Sequence, residues 1–289
     1  DDVRAIFEKE IGQHFGMNAE EAAGAVIQVA NNKMAGAIRL VSLSRGHDPR
    51  DFTLFAFGGA GPVHGVALAK ELSIPRIVLP ARPGITNALG CVVSDLRHDF
   101  VNTINTPIET LDISVVHQTI LQQIDEGKRM IKRDGVATEN LVFLYSADMQ
   151  FQGQSHMLSV EISGQHVTLE ELQSRFDEVY WDRFAVELPE IKAVLVNLHT
   201  AVIGRRESLD LRVLAGAEQK QTLKEAERAR RNVMFDGHWY DTPVYVRRHL
   251  PEALQLTGPA IIEQLDTTIV VEPGDKVSLD TIGNLIVEI

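Results

Sequence analysis

The sequence contains little cysteine, few basic residues relative to acidic ones, and no long apolar run. Its single cysteine, Cys91, cannot form a disulfide within the chain, which is typical of proteins from a reducing cytoplasm. The 40 Asp and Glu residues outnumber the 28 Lys and Arg residues, and this argues against nonspecific nucleic-acid binding and against a polybasic membrane patch. No apolar run approaches the roughly 20 residues of a membrane-spanning helix. We therefore expect a cytoplasmic protein that binds neither nucleic acid nor a membrane.

The N-terminus also lacks an initiator methionine and the basic, then apolar pattern of a signal peptide. It begins directly in a charged, amphipathic segment, so we expect the chain to be part of a longer polypeptide. Apolar residues make up 44% and charged residues 24% of the sequence, which is the balance of an ordinary globular protein. A length of 289 residues is sufficient for two or three domains.

The first part of the sequence, residues 1–107, predicts a parallel α/β layer. Asn18 suits the N-cap of a long helix, because glutamates follow in the first turn and apolar residues then recur at spacings of three and four. Strands and helices then alternate in quick succession, as in a parallel sheet covered by helices. In order, we predict a strand over 52–57, a helix over 62–72, a strand over 74–79 and a helix over 86–96.

Residues 108–215 predict an inserted α+β module. Thr168 begins a capping-box sequence, in which its hydroxyl caps a helix and Glu171 reaches back to the Thr168 amide. Gln152-Gly153-Gln154 indicates a hairpin between two strands. The predicted elements are a helix over 114–133, strands over 141–151 and 157–162, the capped helix, and a strand over 194–202.

Residues 216–289 predict a linker followed by a small β-rich unit. The segment 218–231 is highly charged, which favours a linker or a solvated helix. From Val233 onward, short apolar segments alternate with turns that contain glycine.

The turn from Gly58 to Pro62, with the sequence Gly-Gly-Ala-Gly-Pro, is the most informative motif. A predicted strand leads into it and a predicted helix leaves it, and free backbone amides at the start of a helix suit a phosphate or a nucleotide. Glycines let a ligand approach the backbone closely, and Pro62 suits the first turn of a helix. The spacing differs from the dinucleotide-binding fingerprint, because His64 stands where the last glycine would be, and no Gly-Lys-Ser/Thr follows. A tight packing turn between strand and helix explains the small residues equally well.

Histidines supply further candidate groups. His64 could contact a ligand or transfer a proton, or it could pack or cap locally at the helix start. His47 and His98 precede aspartates in predicted polar turns, where such neighbours are mostly surface pairs. Four other histidines show no metal-ligand spacing, and we predict no metal site from them. They are His156, His166, His199 and His238.

The remaining polar candidates show no decisive pattern, and no catalytic residue is assigned. Asn31, Lys33 and Arg39 share the long predicted helix, where a solvated face and an interface or nucleotide role are both open. Cys91 lies in a predicted helix of small residues, which favours packing over a nucleophilic role. A last polar cluster, which could close a cleft or form an ordinary charged turn, consists of Glu263, Asp266, Thr267 and Thr268.

Several segments resemble the hydantoinase A and 5-oxoprolinase family. The main match runs from Phe52 to His64 and includes Phe57-Gly58-Gly59-Ala60-Gly61-Pro62-Val63. A second match is Ser94-Asp95-Leu96-Arg97-His98-Asp99-Phe100. The other matching segments are 31–39, 45–50, 74–80, 148–154, 196–198, 258–263 and 283–286. The resemblance covers almost the whole chain, with the motifs in the order of the family.

The resemblance implies an α/β fold, namely half of an actin-like (ribonuclease H-like) ATPase domain with the inserted α+β module and the small C-terminal β-rich unit. In such folds a glycine-rich turn in the second half of the domain holds the adenosine end of ATP. The residues that the resemblance assigns to this role are Gly58, Gly59, Ala60, Gly61 and His64. The Asp-Gly-Gly-Thr-type loop that holds the phosphates in the first half is not found in the sequence. The chain thus resembles the C-terminal portion of the family's subunit.

The resemblance also implies an activity. It implies ATP and Mg²⁺ as cofactors, a hydantoinase B-type subunit or domain as partner, and a small cyclic amide or imide of the hydantoin or 5-oxoproline type as substrate. Two alternatives stay open, an ATP-using subunit of an acetone- or acetophenone-type carboxylase and a non-catalytic scaffold that binds the partner subunit. Because the phosphate loop is absent from this sequence, we expect the isolated chain to be inactive.

Overall fold

The computed structural model describes residues 2–188, 190–208, 210 and 222–289, and it shows a mixed α/β chain with three sheets. The chain divides into two compact units, Asp1–Val92 with Asp210–Ile289, and Val93–Leu209. Each unit has its own apolar core. This division differs from the boundaries expected after residues 107 and 215, which stay a prediction of domain organisation. None of the helices in the described ranges is long and apolar enough to span a membrane.

The helices and strands alternate along most of the chain. The helices are α1 Asp2–Phe7, α2 Gln13–Phe15, α3 Ala19–Leu43, α4 Gly61–Leu72, α5 Thr86–Val93, α6 Ile113–Asp134, α7 Leu169–Phe184 and α8 Leu223–Ala226. The strands are β1 Leu54–Phe55, β2 Arg76–Leu79, β3 Leu96–Pro107, β4 Asn140–Phe151, β5 Leu158–Glu161, β6 Ala193–Arg205, β7 Glu227–Phe235, β8 His238–Val246, β9 Gln255–Thr257, β10 Ala260–Gln264, β11 Thr267–Val271, β12 Lys276–Leu279 and β13 Leu285–Glu288.

The long helix α3 begins where its sequence predicts. The Asn18 side chain accepts a hydrogen bond from the Glu21 amide, and the Glu21 carboxylate accepts one from the Asn18 amide, each at 2.9 Å. This capping box satisfies amides that have no partner within the helix. The predicted N-cap is therefore confirmed.

The first unit contains two sheets that share one core. The first sheet has the order β1-β2-β13-β12-β9, and β1 runs parallel to β2, as the sequence predicts. The last strand, β13, pairs antiparallel with β2. The second sheet has the order β11-β10-β8-β7. Strands from the end of the chain thus complete the layer that contains the glycine-rich turn, although the sequence suggested a separate terminal unit.

The charged segment 218–231, in the part of the first unit that follows the second unit in sequence, is only partly a helix. Residues 218–221 of the predicted linker lie outside the described residues. Thr222 caps the short helix α8 through a capping box with Glu225. Residues 227–231 form the first half of β7, so the prediction of a linker or solvated helix is wrong there. The reason is that this half of β7 is largely exposed, and its charged side chains hide the alternation that usually indicates a strand.

The second unit is an antiparallel sheet with two helices. Its strand order is β3-β6-β4-β5, and the expected hairpin between β4 and β5 is confirmed. The helix α7 begins with Thr168 accepting from the Glu171 amide at 3.1 Å. The Glu171 carboxylate, however, accepts from the amide and hydroxyl of Ser163 instead of returning to Thr168. Only half of the predicted capping box forms.

The strand β3 was not predicted. Its first residues were expected to end a helix and to form a polar turn, whereas Leu96–Pro107 is a strand at the edge of this sheet. Polar side chains alternate along it, with Arg97 and Asp99 exposed and His98 partly buried. An edge strand with little apolar content gives a weak strand signal in a single sequence.

A buried carboxylate joins α4 to the loop after β11. Lys70 Nζ lies 2.9 Å from Glu272 Oε2 and 3.1 Å from Asp275 Oδ1. Asp275 is only 4% exposed, and its Oδ2 is buried with no hydrogen-bond partner among the described residues. Burial lowers the pKa of Lys70, but its hydrogen bonds to Glu272 and Asp275 outweigh this and leave the pKa above the ordinary value of 10.5.

Replacing Lys70 with Met is expected to destabilise the first unit by about 2 kcal/mol, because Asp275 would remain buried without its cation. The effect should stay below that of a fully buried pair, since the Lys70 side chain is 35% exposed. Urea denaturation at neutral pH measures the difference. The matched control is Arg76→Met, which breaks the exposed pair with Glu288 and should cost less than about 0.5 kcal/mol.

The same pair predicts a pH dependence. A raised pKa in the folded state means that the stabilisation is complete below pH 10.5 and is lost as the pH rises through the folded-state pKa of Lys70. The stability difference between the wild type and Lys70→Met should therefore shrink above that pH. A difference that stays constant into the alkaline range would contradict the ionic contribution.

Candidate functional site

The glycine-rich turn connects β1 to α4 in the first unit. Gly58 has a φ of 83°, a left-handed conformation that side chains rarely adopt. Its amide donates to the Pro83 carbonyl at 2.8 Å. An added Cβ at Gly58 would meet no atom within 4 Å, so the backbone conformation, and not crowding, requires glycine here.

The second glycine of the turn is held from the end of the chain. Thr267, the first residue of β11, donates its hydroxyl to the Gly59 carbonyl at 2.8 Å. Gly59 and Ala60 are exposed residues, and their amides make no hydrogen bond to any described residue. Two N–H groups are thus available at the start of α4, where the helix dipole favours an anion or a polar ligand.

His64 lies in the first turns of α4 and contacts α3. Its Nδ1 lies 2.8 Å from Asn31 Oδ1, and both side chains are partly buried. An amide oxygen can only accept, so this contact places the proton of a neutral His64 ring on Nδ1 and leaves Nε2 as an acceptor. Arg39 also joins the two helices, through the Glu71 carbonyl at 2.8 Å and Glu71 Oε1 at 3.1 Å. The structure therefore brings Asn31 and His64 together, whereas Arg39 supports the helix pair.

Asp266 lies beside the same turn. The position that a Cβ of Gly84 would occupy overlaps the Asp266 carboxyl group, and the Asp266 carbonyl lies 3.5 Å from the corresponding position of Gly59. Asp266 Oδ1 is buried and has no hydrogen-bond partner in the described part of the chain. An unpaired buried oxygen costs free energy. Of the predicted polar cluster, Asp266 and Thr267 thus contact the turn.

Other predicted residues lie elsewhere. His98 is in β3 and not in a turn, and its Nε2 lies 2.7 Å from Asp134 Oδ2. His47 packs against Phe52 with ring centroids 5.6 Å apart. Cys91 is an exposed free thiol, so the expected packing role is wrong. Within the described ranges, no three His, Cys, Asp or Glu side chains are grouped so that they could hold a metal ion.

A hydrogen-bonded cluster in the second unit was missed. His199 Nε2 lies 2.7 Å from Asp148 Oδ2, and Asn197 donates to the same oxygen at 3.1 Å. Burial raises the pKa of Asp148, but the hydrogen bonds from Asn197 and His199 outweigh this, and the pKa lies below its ordinary value. The alternation of β6 predicts that residues 197 and 199 share a face, but nothing local indicates that Asp148 on β4 lies opposite.

Family models match most of the chain. The hydantoinase/oxoprolinase model matches residues 1–100, and the model of the hydantoinase/oxoprolinase C-terminal domain matches residues 113–286. The chain belongs to the hydantoinase/oxoprolinase family. The resemblance found in the sequence is therefore confirmed.

This chain is similar to several proteins whose names describe different reactions. Caprolactamase subunit alpha from Pseudomonas jessenii is 32% identical over 279 residues, which cover 94% of this chain and 40% of that protein. The acetophenone carboxylase gamma subunit from Aromatoleum aromaticum is 28% identical, over 99% of this chain and 40% of the relative. 5-Oxoprolinase 1 from Arabidopsis thaliana is 24% identical, over 94% of this chain and 21% of the relative. The chain spans less than half the length of these relatives.

Two solved structures of the family have the same fold. The nucleotide-free structure of acetone carboxylase aligns with a TM-score of 0.78 at 22% identity, over 98% of this chain and 42% of that one. The ATP-dependent caprolactamase from Pseudomonas jessenii aligns with a TM-score of 0.75 at 29% identity, over 99% of this chain and 42% of that one. The predicted α/β fold of the hydantoinase-type ATPases is therefore confirmed.

Replacing Thr267 with Val is expected to loosen the glycine-rich turn, because the Gly59 carbonyl loses its hydroxyl donor. Hydrogen exchange of the amides of Ala56, Gly58 and Val63, which are hydrogen-bonded in and around the turn, should accelerate up to about tenfold. The matched control is Thr257→Val on the exposed end of β9, which should leave these amides unchanged. Equal exchange in both variants would show that the hydroxyl does not hold the turn.

Proposed function

We propose that this chain is the C-terminal part of a subunit that opens a cyclic amide or imide in an ATP-dependent reaction. Membership of the hydantoinase/oxoprolinase family supports this, as does the similarity to a caprolactamase subunit and to a 5-oxoprolinase. A ring amide is a poor electrophile because of its resonance. ATP would supply the phosphoryl group that activates the amide carbonyl towards water.

The observation that carries the proposal is that Gly59 and Ala60, two exposed residues just before α4, have amides with no hydrogen bond to a described residue. Together with Gly58, Gly61 and His64, they would hold the adenosine end of ATP. Because the left-handed conformation requires glycine at position 58, that residue adds no side chain to this surface. The hydrogen bond from Thr267 orients the turn before a ligand binds. Such preorganised donors favour binding, because little freedom is lost when the ligand binds.

The phosphates and Mg²⁺ would be held by a loop of the Asp-Gly-Gly-Thr type, which these 289 residues lack. Catalysis of phosphoryl transfer depends on positioning and on stabilising charge at the phosphates and the metal. The chain would therefore contribute half of a nucleotide site. A hydantoinase B-type subunit or domain would be the partner for the complete reaction.

The purified chain is accordingly expected to show no magnesium-dependent ATP hydrolysis above buffer controls. A phosphate-release assay with and without EDTA measures this. Turnover that depends on Mg²⁺ and is lost with EDTA would show that the chain contains a complete site and would overturn the split-site proposal.

A carboxylase is the second candidate function, because the chain is also similar to an acetophenone carboxylase subunit and shares its fold with acetone carboxylase. The whole subunit, assayed with its partner and ATP, separates the two. Ring opening of hydantoin, 5-oxoproline or caprolactam supports the hydrolase. Carboxylation of acetone or acetophenone in the presence of bicarbonate supports the carboxylase, and activity with neither class would favour a scaffold role.

Gly59 provides a test of the adenosine role that is separate from folding. A Cβ at Gly59 would meet only the Asp266 carbonyl, at an ordinary contact distance of 3.5 Å. In the whole subunit, Gly59→Leu is expected to weaken ATP binding at least about tenfold, because the side chain would occupy the ligand's approach to the turn. Titration with a fluorescent ATP analogue measures this affinity.

The matched control is Gly24→Leu on α3, where an added Cβ also meets nothing within 4 Å. It should leave ATP affinity unchanged. If Gly59→Leu binds ATP like the wild type while both variants remain folded by circular dichroism, the turn does not hold the nucleotide.

A further inference from the structure

The first unit contains a cavity of about 470 Å³ to which arginines contribute most of the charge. Its lining comes from β7, the loop after β2, the end of β8 and the segment after it, the hairpin between β10 and β11, and the hairpin between β12 and β13. It includes no residue of the Gly58–His64 segment. Four arginines line it, together with one acidic residue, Glu263. The chain as a whole has a net charge of −12, so the excess of positive charge at this cavity is opposite in sign to the charge of the chain. The arginines are Arg82, Arg228, Arg247 and Arg248.

Arg247 is the most unusual of these groups, because it is only 8% exposed. Its guanidinium donates to the carbonyls of Leu79 and Gly283 and to Gln264 Oε1, at 3.0, 3.1 and 3.3 Å. All three acceptors are neutral, and no carboxylate in the described ranges forms an ion pair with Arg247. Burial, reinforced by the charge of Arg82, lowers the pKa of Arg247 to about 10.

The charges of Asp266 and Asp280 act on Arg247 without a direct ion pair. A buried cation without a direct ion pair is unfavourable, and an anion in the adjoining cavity would offset this cost. Arg82 lines the same cavity, is exposed, and has no ion-pair partner among the residues that the structure describes. Glu263 does not neutralise the pair, because it accepts from Arg228 at 3.1 Å. Arg82 and Arg247 therefore line one cavity, and neither guanidinium forms an ion pair with a described carboxylate.

Apart from Gln264 and Thr268, the rest of the lining is apolar. Aliphatic side chains form this part of the wall, and the volume lies within the range of about 300–1,000 Å³ that is usual for small-molecule sites. Leu265, at the tip of the β10–β11 hairpin, is fully exposed to solvent. The aliphatic residues of the wall are Val246, Leu250, Leu265 and Leu279.

We propose that this cavity binds a small organic anion. A carboxylate or phosphoryl oxygen would accept hydrogen bonds from Arg82 and Arg247, and an apolar body would contact Leu265 and Leu279. Guanidinium groups suit this role, because their planar array of donors matches the oxygens of both head groups. The site is separate from the glycine-rich turn, and it does not depend on the reaction that the whole subunit performs.

Calorimetric titration of the 289-residue chain tests the proposal. The probes are hexanoate, hexyl phosphate and neutral hexanol, at constant ionic strength. Saturable binding of at least one anion, without binding of hexanol, is expected, and the tighter anion identifies the preferred head group. Binding of neither anion, or equal binding of hexanol, would overturn the proposal.

Arg82→Gln tests whether binding occurs at this cavity. Removing one charged donor should weaken anion binding about tenfold, and Arg82 is exposed, so the fold should tolerate the change. Arg231→Gln, at an exposed position of β7 outside the cavity lining, is the matched control and should bind like the wild type. Equal affinity of Arg82→Gln and the control would place the anion elsewhere and overturn the assignment. Gly59→Leu should not change anion binding, so failure here and failure of the nucleotide proposal are distinguishable.

Discussion

The hydrogen bond from the Thr267 hydroxyl to the Gly59 carbonyl joins residues 208 positions apart, and the shape of the glycine-rich turn depends on it. The turn leaves β1, and β1 pairs with β2, which in turn pairs with the last strand of the chain, β13. The sheet that contains β1 and β2 and the hydrogen bond from Thr267 to the turn are therefore complete only when the C-terminal strands are in place. Contacts of such separation form late and are costly in chain entropy. The conformation of the turn therefore depends on contacts throughout the first unit, and not only on the sequence of the turn itself.

Short-range patterns in the sequence predicted the elements that depend mainly on short-range interactions. The Asn18 cap and the helix after the glycine-rich turn follow from residues within a few positions of one another. The parallel pairing of β1 with β2 follows from the strand, helix, strand order of one short segment. The strands β3 and β7 could not be found in this way, because their exposed charged side chains remove the apolar alternation and only their partner strands reveal them. The pairing of β13 with β2 has no signal in a single sequence, since strand partners are chosen by long-range packing.

The residues of the candidate site also fall into two groups, those with a local signal in the sequence and those without one. The residue types at 58–64 left a ligand-binding turn and a packing turn equally open, the family resemblance favoured the first, and the left-handed Gly58 is compatible with both. Asn31 and His64 were each recognised as polar candidates, but their contact joins two helices 33 positions apart and requires the packing of α3 on α4. Arg247 was not recognised at all. Burial of a single arginine leaves no mark on its neighbours in sequence, because most arginines are exposed.

The buried charged groups of the first unit differ in whether they form an ion pair. Asp275 is compensated by Lys70, as the stability of a folded chain requires. By contrast, Arg247 donates only to neutral groups, and the charges of Asp266 and Asp280 act on it without an ion pair. Asp266 Oδ1 is buried and accepts no hydrogen bond from a described residue. Arg247 and Asp266 both lie at the hairpin between β10 and β11, where Gln264 contacts Arg247 and Thr267 contacts the turn. Uncompensated buried charge lowers stability and is concentrated at functional sites in proteins. Both proposed ligand sites adjoin this hairpin, and ligand binding would account for buried charges that lower the stability of the fold.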